Sequence, residues 1–181
     1  DIYLESELSA DQVRDLGFER VVVATGAWWR RDGVGRHHAA LIDGSEGANV
    51  FTPEDIMHGA SVSGPVVVYD SESAYLGSLM VEQLCEQGHE VTLVSPTGQI
   101  AGWTLFTMEQ ARITARMYEM CRHVLTDHRV VSISPSAVTL EHVWSAKPVA
   151  APVGAVVLVT SRLPNDELYH QLSGDSDALG A

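Results

Sequence analysis

The chain predicts an α/β fold, a Rossmann-like parallel sheet with a three-stranded antiparallel meander, and two stretches carry that expectation. Between Gly64 and Ser95, an apolar run (Val66 to Tyr69) is joined by an amphipathic segment to a second run (Val91 to Val94). Strands covered on both faces read as such continuous runs, and a parallel pair needs a crossover helix of this length. Further on, Val130 to Ile133, Ala137 to Val143 and Lys147 to Pro152 are three short segments separated by Ser-Pro-Ser and Trp-Ser-Ala, the pattern of a meander.

In chain order, Ile2 to Leu4 reads as a short strand, and Ser9 with Gln12 forms a capping box that opens a short helix. Phe18 to Gly26 reads as a buried strand ending in Ala24-Thr25-Gly26. Two such strands and one short helix cannot cover their own faces, so residues 1 to about 30 are expected to complete a sheet whose other strands lie outside this chain, or to pack on the βαβ domain for lack of them. Residues 27–50 are polar, Gly-rich and aperiodic, as in a crossing loop. Thr52 as N-cap and Pro53 at the first helical position start a short helix to about His58. The crossover helix is expected from about Ser73 to Gln87, with Leu76, Leu79, Met80, Gln83 and Leu84 facing the sheet and Gly88 as its stop. After a loop from Thr97 to Leu105, Thr107 caps a helix through about Val124, with Met108, Ala111, Ala115, Tyr118 and Met120 as buried-face candidates. Ala155 to Thr160 is a last buried strand, Pro164 to Glu167 opens a final helix through about Leu172, and the tail after Gly174 is expected to fray. The expected division is therefore 1–50 (the end of one domain plus the loop), 51–174 (a small nucleotide-binding-like domain) and 175–181 (tail).

Twenty-four acidic against 11 basic residues give a formal charge of −13, with no basic run. That balance repels nucleic acid and anionic membrane surfaces, and neither is expected as a partner. No stretch is long and apolar enough for a membrane span and no signal-peptide pattern opens the chain, so a cytoplasmic location is expected. Cys85 and Cys121 lack the close spacing of a zinc or iron–sulfur site and read as buried thiols. Adjacent His37 and His38 suit either a metal site or a solvated loop. The other histidines fall at helix ends, corners and meander edges, where a solvated imidazole is ordinary. No catalytic residue and no metal ligand is assigned.

In a dinucleotide fold the turn after the first strand is Gly-rich, so that backbone amides can approach a pyrophosphate, and an acid ending the second strand takes the ribose hydroxyls. Here the turn is Asp70-Ser71-Glu72-Ser73-Ala74-Tyr75-Leu76-Gly77, in which only Ala74 and Gly77 suit the pattern, and Ser95 stands where the acid belongs. Asp70 and Glu72 put negative charge where a diphosphate would sit, a repulsion on the order of 1–3 kcal/mol at about 5 Å and an effective dielectric of roughly 20–40. Two readings stay open: a nucleotide site of unusual chemistry, or a scaffold that has lost its cofactor. If charge alone excludes the ligand, Asp70→Asn/Glu72→Gly/Ala74→Gly/Ser95→Glu is expected to gain NADH binding.

The ordered set Val21 to Trp29, Phe51 to Met57, Val66 to Asp70, Gly88 to Val94 and Leu158 to Arg162 resembles the C-terminal part of the trimethylamine dehydrogenase family. That family includes dimethylamine and histamine dehydrogenases and, more distantly, 2,4-dienoyl-CoA reductase, and the resemblance spans nearly the whole chain. It implies a multidomain oxidoreductase in which an N-terminal TIM barrel holds FMN and a [4Fe-4S] cluster. Two further domains resemble the FAD and NADPH domains of disulfide reductases. This chain would be the NADPH-like domain plus the adjoining end of the FAD-like one, which in the amine dehydrogenases holds ADP. The partners implied are the rest of its own chain and an electron-transferring flavoprotein, for which an acidic docking surface is a further reading. The weak glycine pattern agrees with the branch whose NAD(P) site has degenerated; a functional NAD(P)H domain is the alternative. By the same resemblance Ala24, Thr25 and Gly26 match the segment that passes close to the dinucleotide of the FAD-like domain. In Thr160-Ser161-Arg162, Ser161 replaces the glycine of a Thr-Gly-Arg. Candidate cofactor-binding residues are thus Ala24, Thr25, Gly26, Ser73, Ala74, Gly77, Ser95, Thr160 and Arg162. Trp28 and Trp29 suit stacking on a purine or packing between domains.

Overall fold

The structure, a computed structural model, describes residues 2–174, so the expected tail at 175–181 lies outside the described residues. The chain divides into two compact units, Asp1–Trp28 with Leu163–Ala181, and Trp29–Arg162.

In the smaller unit, Ser9 caps α1 (Ala10–Asp15) with the expected capping box to Gln12. The strands expected at Ile2 to Leu4 and Phe18 to Gly26 do not form. No neighbouring backbone among the described residues offers these segments a ladder, and Phe18 and Val22 stand exposed. Apolar, β-branched sequence favours a strand only where another strand can satisfy its amides. Two short strands, β1 (Ala27–Trp29) and β10 (Arg162–Pro164), pair with each other, and α5 (Glu167–Ser173) closes the described chain.

The larger unit is built on five parallel strands: β2 (Val50–Phe51), β3 (Val66–Asp70), β4 (Val91–Val94), β5 (His123–Leu125) and β9 (Ala155–Val159), in the order β2-β9-β3-β4-β5. The meander, β6 (His128–Ile133), β7 (Ala137–His142) and β8 (Pro148–Pro152), forms the expected antiparallel sheet. Strand alternation sorts the side chains of the parallel sheet into two cores. Val66, Val68, Val91, Leu93, Val157 and Val159 pack with Met80, Val81, Leu84 and Met117 of the helices. Val67, Tyr69, Val94, Val156 and Leu158 pack instead with Val130, Ile133, Val138 and Leu140 of the meander. Helices, parallel sheet and meander are therefore three layers, which is why β3 and β9 are buried along their whole length.

Thr52 caps α2 (Pro53–Met57) as expected. The crossover helix α3 (Leu76–Glu86) starts three residues later than expected, because Ser73 takes a left-handed conformation (φ +57°) and donates its N–H to Asp70. Its buried stripe is Gly77, Met80, Val81 and Leu84, while Leu79 faces solvent. Burying Met80, Val81 and Leu84 contributes about 1.5–3 kcal/mol each. At its end Gly88 is left-handed (φ +89°), the expected stop. The next segment departs more: Gly102–Thr107 is a 3₁₀ helix flanked by left-handed Ala101 and Met108, so α4 spans only Gln110–Met120. Met108 and Tyr118 are exposed rather than buried, and Met117 is the residue that α4 buries. Extended backbone at Cys121 ends α4, so Val124 belongs to β5, a strand the helical reading had absorbed. Burial raises the pKa of both Cys85 and Cys121, the latter to about 12, so neither is a ready thiolate.

Candidate functional site

From β3 the chain winds outward through α3 and α4 to β5, then returns to lay β9 on the other side of β3. Open α/β sheets bind ligands outside the carboxyl ends of their strands at such a reversal. Here Ser71, Glu72 and Ala74 after β3, Thr160, Ser161 and Arg162 after β9, and Arg36 and Trp103 enclose a cleft of about 460 Å³. A second cleft of about 520 Å³ lies beside it, lined by His37, Ser73, Thr97 and Phe106 among others, and shares Arg36 and Trp103. In both linings the Arg36 guanidinium lies 4.9 Å from the Trp103 ring centroid.

Asp70 lines neither cleft. Its carboxyl is buried, accepts the Ser73 N–H at 2.9 Å, and fills the space beneath α3 that a side chain at position 77 would need. A Cβ on Gly77 would lie 2.4 Å from Asp70 Cγ, so this glycine makes room for a carboxylate of its own chain rather than for a pyrophosphate. Burial pushes the Asp70 carboxyl up to about 7, against the opposing pull of the Ser73 N–H. Glu72 is engaged as well, 2.7 Å from the Arg162 guanidinium, which also lies 4.4 Å from the ring centroid of buried Trp29. The charge repulsion expected of Asp70 and Glu72 is therefore largely answered inside the protein, by burial of one and pairing of the other.

What covers the turn is the 102–107 segment. The Trp103 N–H donates to the Ser73 carbonyl at 3.0 Å. Ser73 Oγ lies 3.4 Å from Thr97 Oγ1, which lies 3.0 Å from Ser95 Oγ. Ser95, expected near a ribose, is buried and spent on this chain of hydroxyls. Tyr75 Oη is 2.6 Å from Thr107 Oγ1 and donates to the Glu109 carboxylate, which that bond holds below its ordinary pKa. Ser73, Tyr75 and Ser95, at or near the turn, thus make their polar contacts within the polypeptide.

Ser73, Ala74, Ser95, Thr160 and Arg162 lie at the strand ends, with Gly77 in the first turn of α3. Ala24, Thr25 and Gly26 belong to the other unit, where the Thr25 hydroxyl donates to the Asn165 carbonyl and the Gly26 carbonyl accepts the Asn165 N–H at 2.9 Å. Sequence reasoning missed Arg36 and Trp103; the nearest signal was Trp103-Thr104-Leu105-Phe106, three large apolar residues without core periodicity. Ser161, the departure from Thr-Gly-Arg, donates its hydroxyl to the Val34 carbonyl at 2.6 Å and accepts the Arg30 N–H at 2.9 Å, tying the loop that carries Arg36 to the end of β9. Among the described residues no group of three or more His, Cys, Asp or Glu is placed to hold a metal ion, and no helix is long and apolar enough to cross a membrane.

Residues 51–160 match the OYE-like second alpha/beta domain family. Dimethylamine dehydrogenase of Hyphomicrobium sp. (strain x) is 26% identical over 97% of this chain and 27% of its own length. Among solved structures, the 6-hydroxypseudooxynicotine amine oxidase HisD of Pseudomonas geniculata N1 superimposes with a TM-score of 0.92 at 37% identity, covering 98% of this chain and 27% of that one. Histamine dehydrogenase of Rhizobium sp. 4-9 gives 0.87 at 34% identity, over 94% and 27%. An FAD-dependent pyridine nucleotide-disulphide oxidoreductase of Desulfovibrio vulgaris, at 16% identity over 86% of this chain and 38% of its own, shares the fold alone with a TM-score of 0.61. The chain spans about a quarter of the length of its amine-oxidising relatives, a coverage of 27% in each. On the match over residues 51–160, the chain belongs to the OYE-like second alpha/beta domain family.

Proposed function

We propose that this chain is the nucleotide-binding-like domain of an iron–sulfur flavoprotein amine dehydrogenase, structural and non-catalytic in itself. FMN, a [4Fe-4S] cluster and ADP belong to other parts of such an enzyme. The observation that carries this reading is the closed turn, with Asp70 packed under Gly77 from within and Trp103 bonded to Ser73 from above. A domain built this way keeps the two cores that hold the Rossmann scaffold together while giving up the pyrophosphate site. The formal charge of −13 supports electron transfer to a flavoprotein partner that presents basic residues, since transient redox encounters are steered by charge.

The test is an anaerobic titration of the full-length protein, following the flavin absorbance. An alkylated amine or histamine is expected to bleach the flavin, and NADH and NADPH are expected to leave it oxidised. Rapid bleaching by either nicotinamide would instead make this a working NAD(P)H domain.

A further inference from the structure

We propose that the 460 Å³ cleft between the ends of β3 and β9 binds a small oxyanion, the carboxylate or phosphate of a compact molecule, with Arg36 and Arg162 as its cationic ligands. The proposal rests on the closed turn, since an open one would give the same edge of the sheet to a dinucleotide.

Arg36 is placed by construction. It sits with His37 at the tip of a tight turn in which Gly35 and His38 exchange hydrogen bonds of 2.8 and 3.3 Å. A Cβ on Gly35 would come within 3.2 Å of the Thr160 backbone, so the turn lies directly on the end of β9, where Ser161 also ties it down. The guanidinium rests on Trp103 and pairs with no carboxylate among the described residues, in a chain where acidic residues outnumber basic ones by 24 to 11. Arg162 faces the same cleft and is held by Glu72, the one carboxylate in the lining. Two guanidinium groups against one carboxylate leave one positive charge, which a monoanion would balance. A planar guanidinium recognises the paired oxygens of a carboxylate or phosphate.

Two further polar residues, Ser71 and Thr160, belong to the lining. The Thr160 hydroxyl is buried and has no hydrogen-bond partner among the described residues, and the buried Ser71 hydroxyl has the Tyr69 hydroxyl as its neighbour. A buried hydroxyl such as that of Thr160 ordinarily finds a partner, and both residues lie just past the ends of β3 and β9 at the topological reversal. The cleft volume falls within the roughly 300–1,000 Å³ usual for small-molecule sites.

Calorimetric titration of inorganic phosphate, and separately of benzoate, into the full chain tests the site in the parent, in Arg36→Gln and in Glu72→Gln. At least one probe is expected to bind saturably, and which one binds identifies the oxyanion. Arg36→Gln is expected to weaken that binding about tenfold or more, and added salt to weaken it in the parent. Glu72→Gln, which releases Arg162, is expected to strengthen it. Failure of both probes to saturate the parent, or equal affinity in the parent and Arg36→Gln, overturns the site while leaving the closed turn standing. NADH binding to the parent would overturn the closed turn and leave a positive phosphate or benzoate result intact.

Discussion

Asp70 is a carboxylate at the end of a fully buried strand, and its surroundings favour the neutral form. With its folded pKa raised to about 7 and an unfolded value near 3.9, the native state holds a proton that the unfolded state releases between those limits. Stability therefore falls as pH rises through that window and levels off above it. Asp70→Asn keeps an acceptor for the Ser73 N–H but removes the charge, so its stability relative to the parent should climb between about pH 4 and 7, by on the order of 2–4 kcal/mol, and then hold. Parallel denaturation curves for the two proteins across that range would mean that Asp70 titrates as an ordinary carboxylate. Gly77 is the other half of this contact. Alanine in a helix interior normally gains about 1 kcal/mol over glycine, but here its Cβ meets the Asp70 side chain, so Gly77→Ala should lose about 1–3 kcal/mol in a thermal or urea melt.

The elements built on apolar periodicity were legible from the chain alone: β3, α3, β4, β9 and the meander lie where their patterns put them, as do the caps at Ser9 and Thr52. Elements whose form depends on distant contacts were not. Val21 to Val23 has strand sequence without strand partners, and the segment from Thr97 to Leu105 reads as a plain loop and Thr107 as a helix cap, although Gly102–Thr107 is a 3₁₀ helix held by Ser73 and Tyr75. The candidate site divides in the same way. Ser73 and Ser95 follow from their places in the dinucleotide pattern and Thr160 and Arg162 from the family resemblance, whereas Arg36 is brought to the cleft by a loop that Ser161 ties to the end of β9. This changes the expectation for the turn. Asp70→Asn/Glu72→Gly/Ala74→Gly/Ser95→Glu removes charge that is already buried or paired and leaves Trp103 in place. Fluorescence titration should therefore detect no NADH binding in that variant, and appreciable affinity there would restore charge as the barrier.

Across the larger unit, the parallel sheet packs between two apolar cores while the turn after β3 is filled by the chain's own side chains, so that scaffold and turn have separate determinants. The scaffold rests on alternation along β3, β4 and β9, and the closure rests on Asp70, Ser73, Tyr75 and Trp103. Relatives that oxidise amines share the fold over nearly all of this chain. Calorimetric titration of NADH into the parent protein probes the closed turn itself. No saturable heat is expected, because Asp70 fills the space under Gly77 and Trp103 is bonded over Ser73. A micromolar dissociation constant would contradict the account outright.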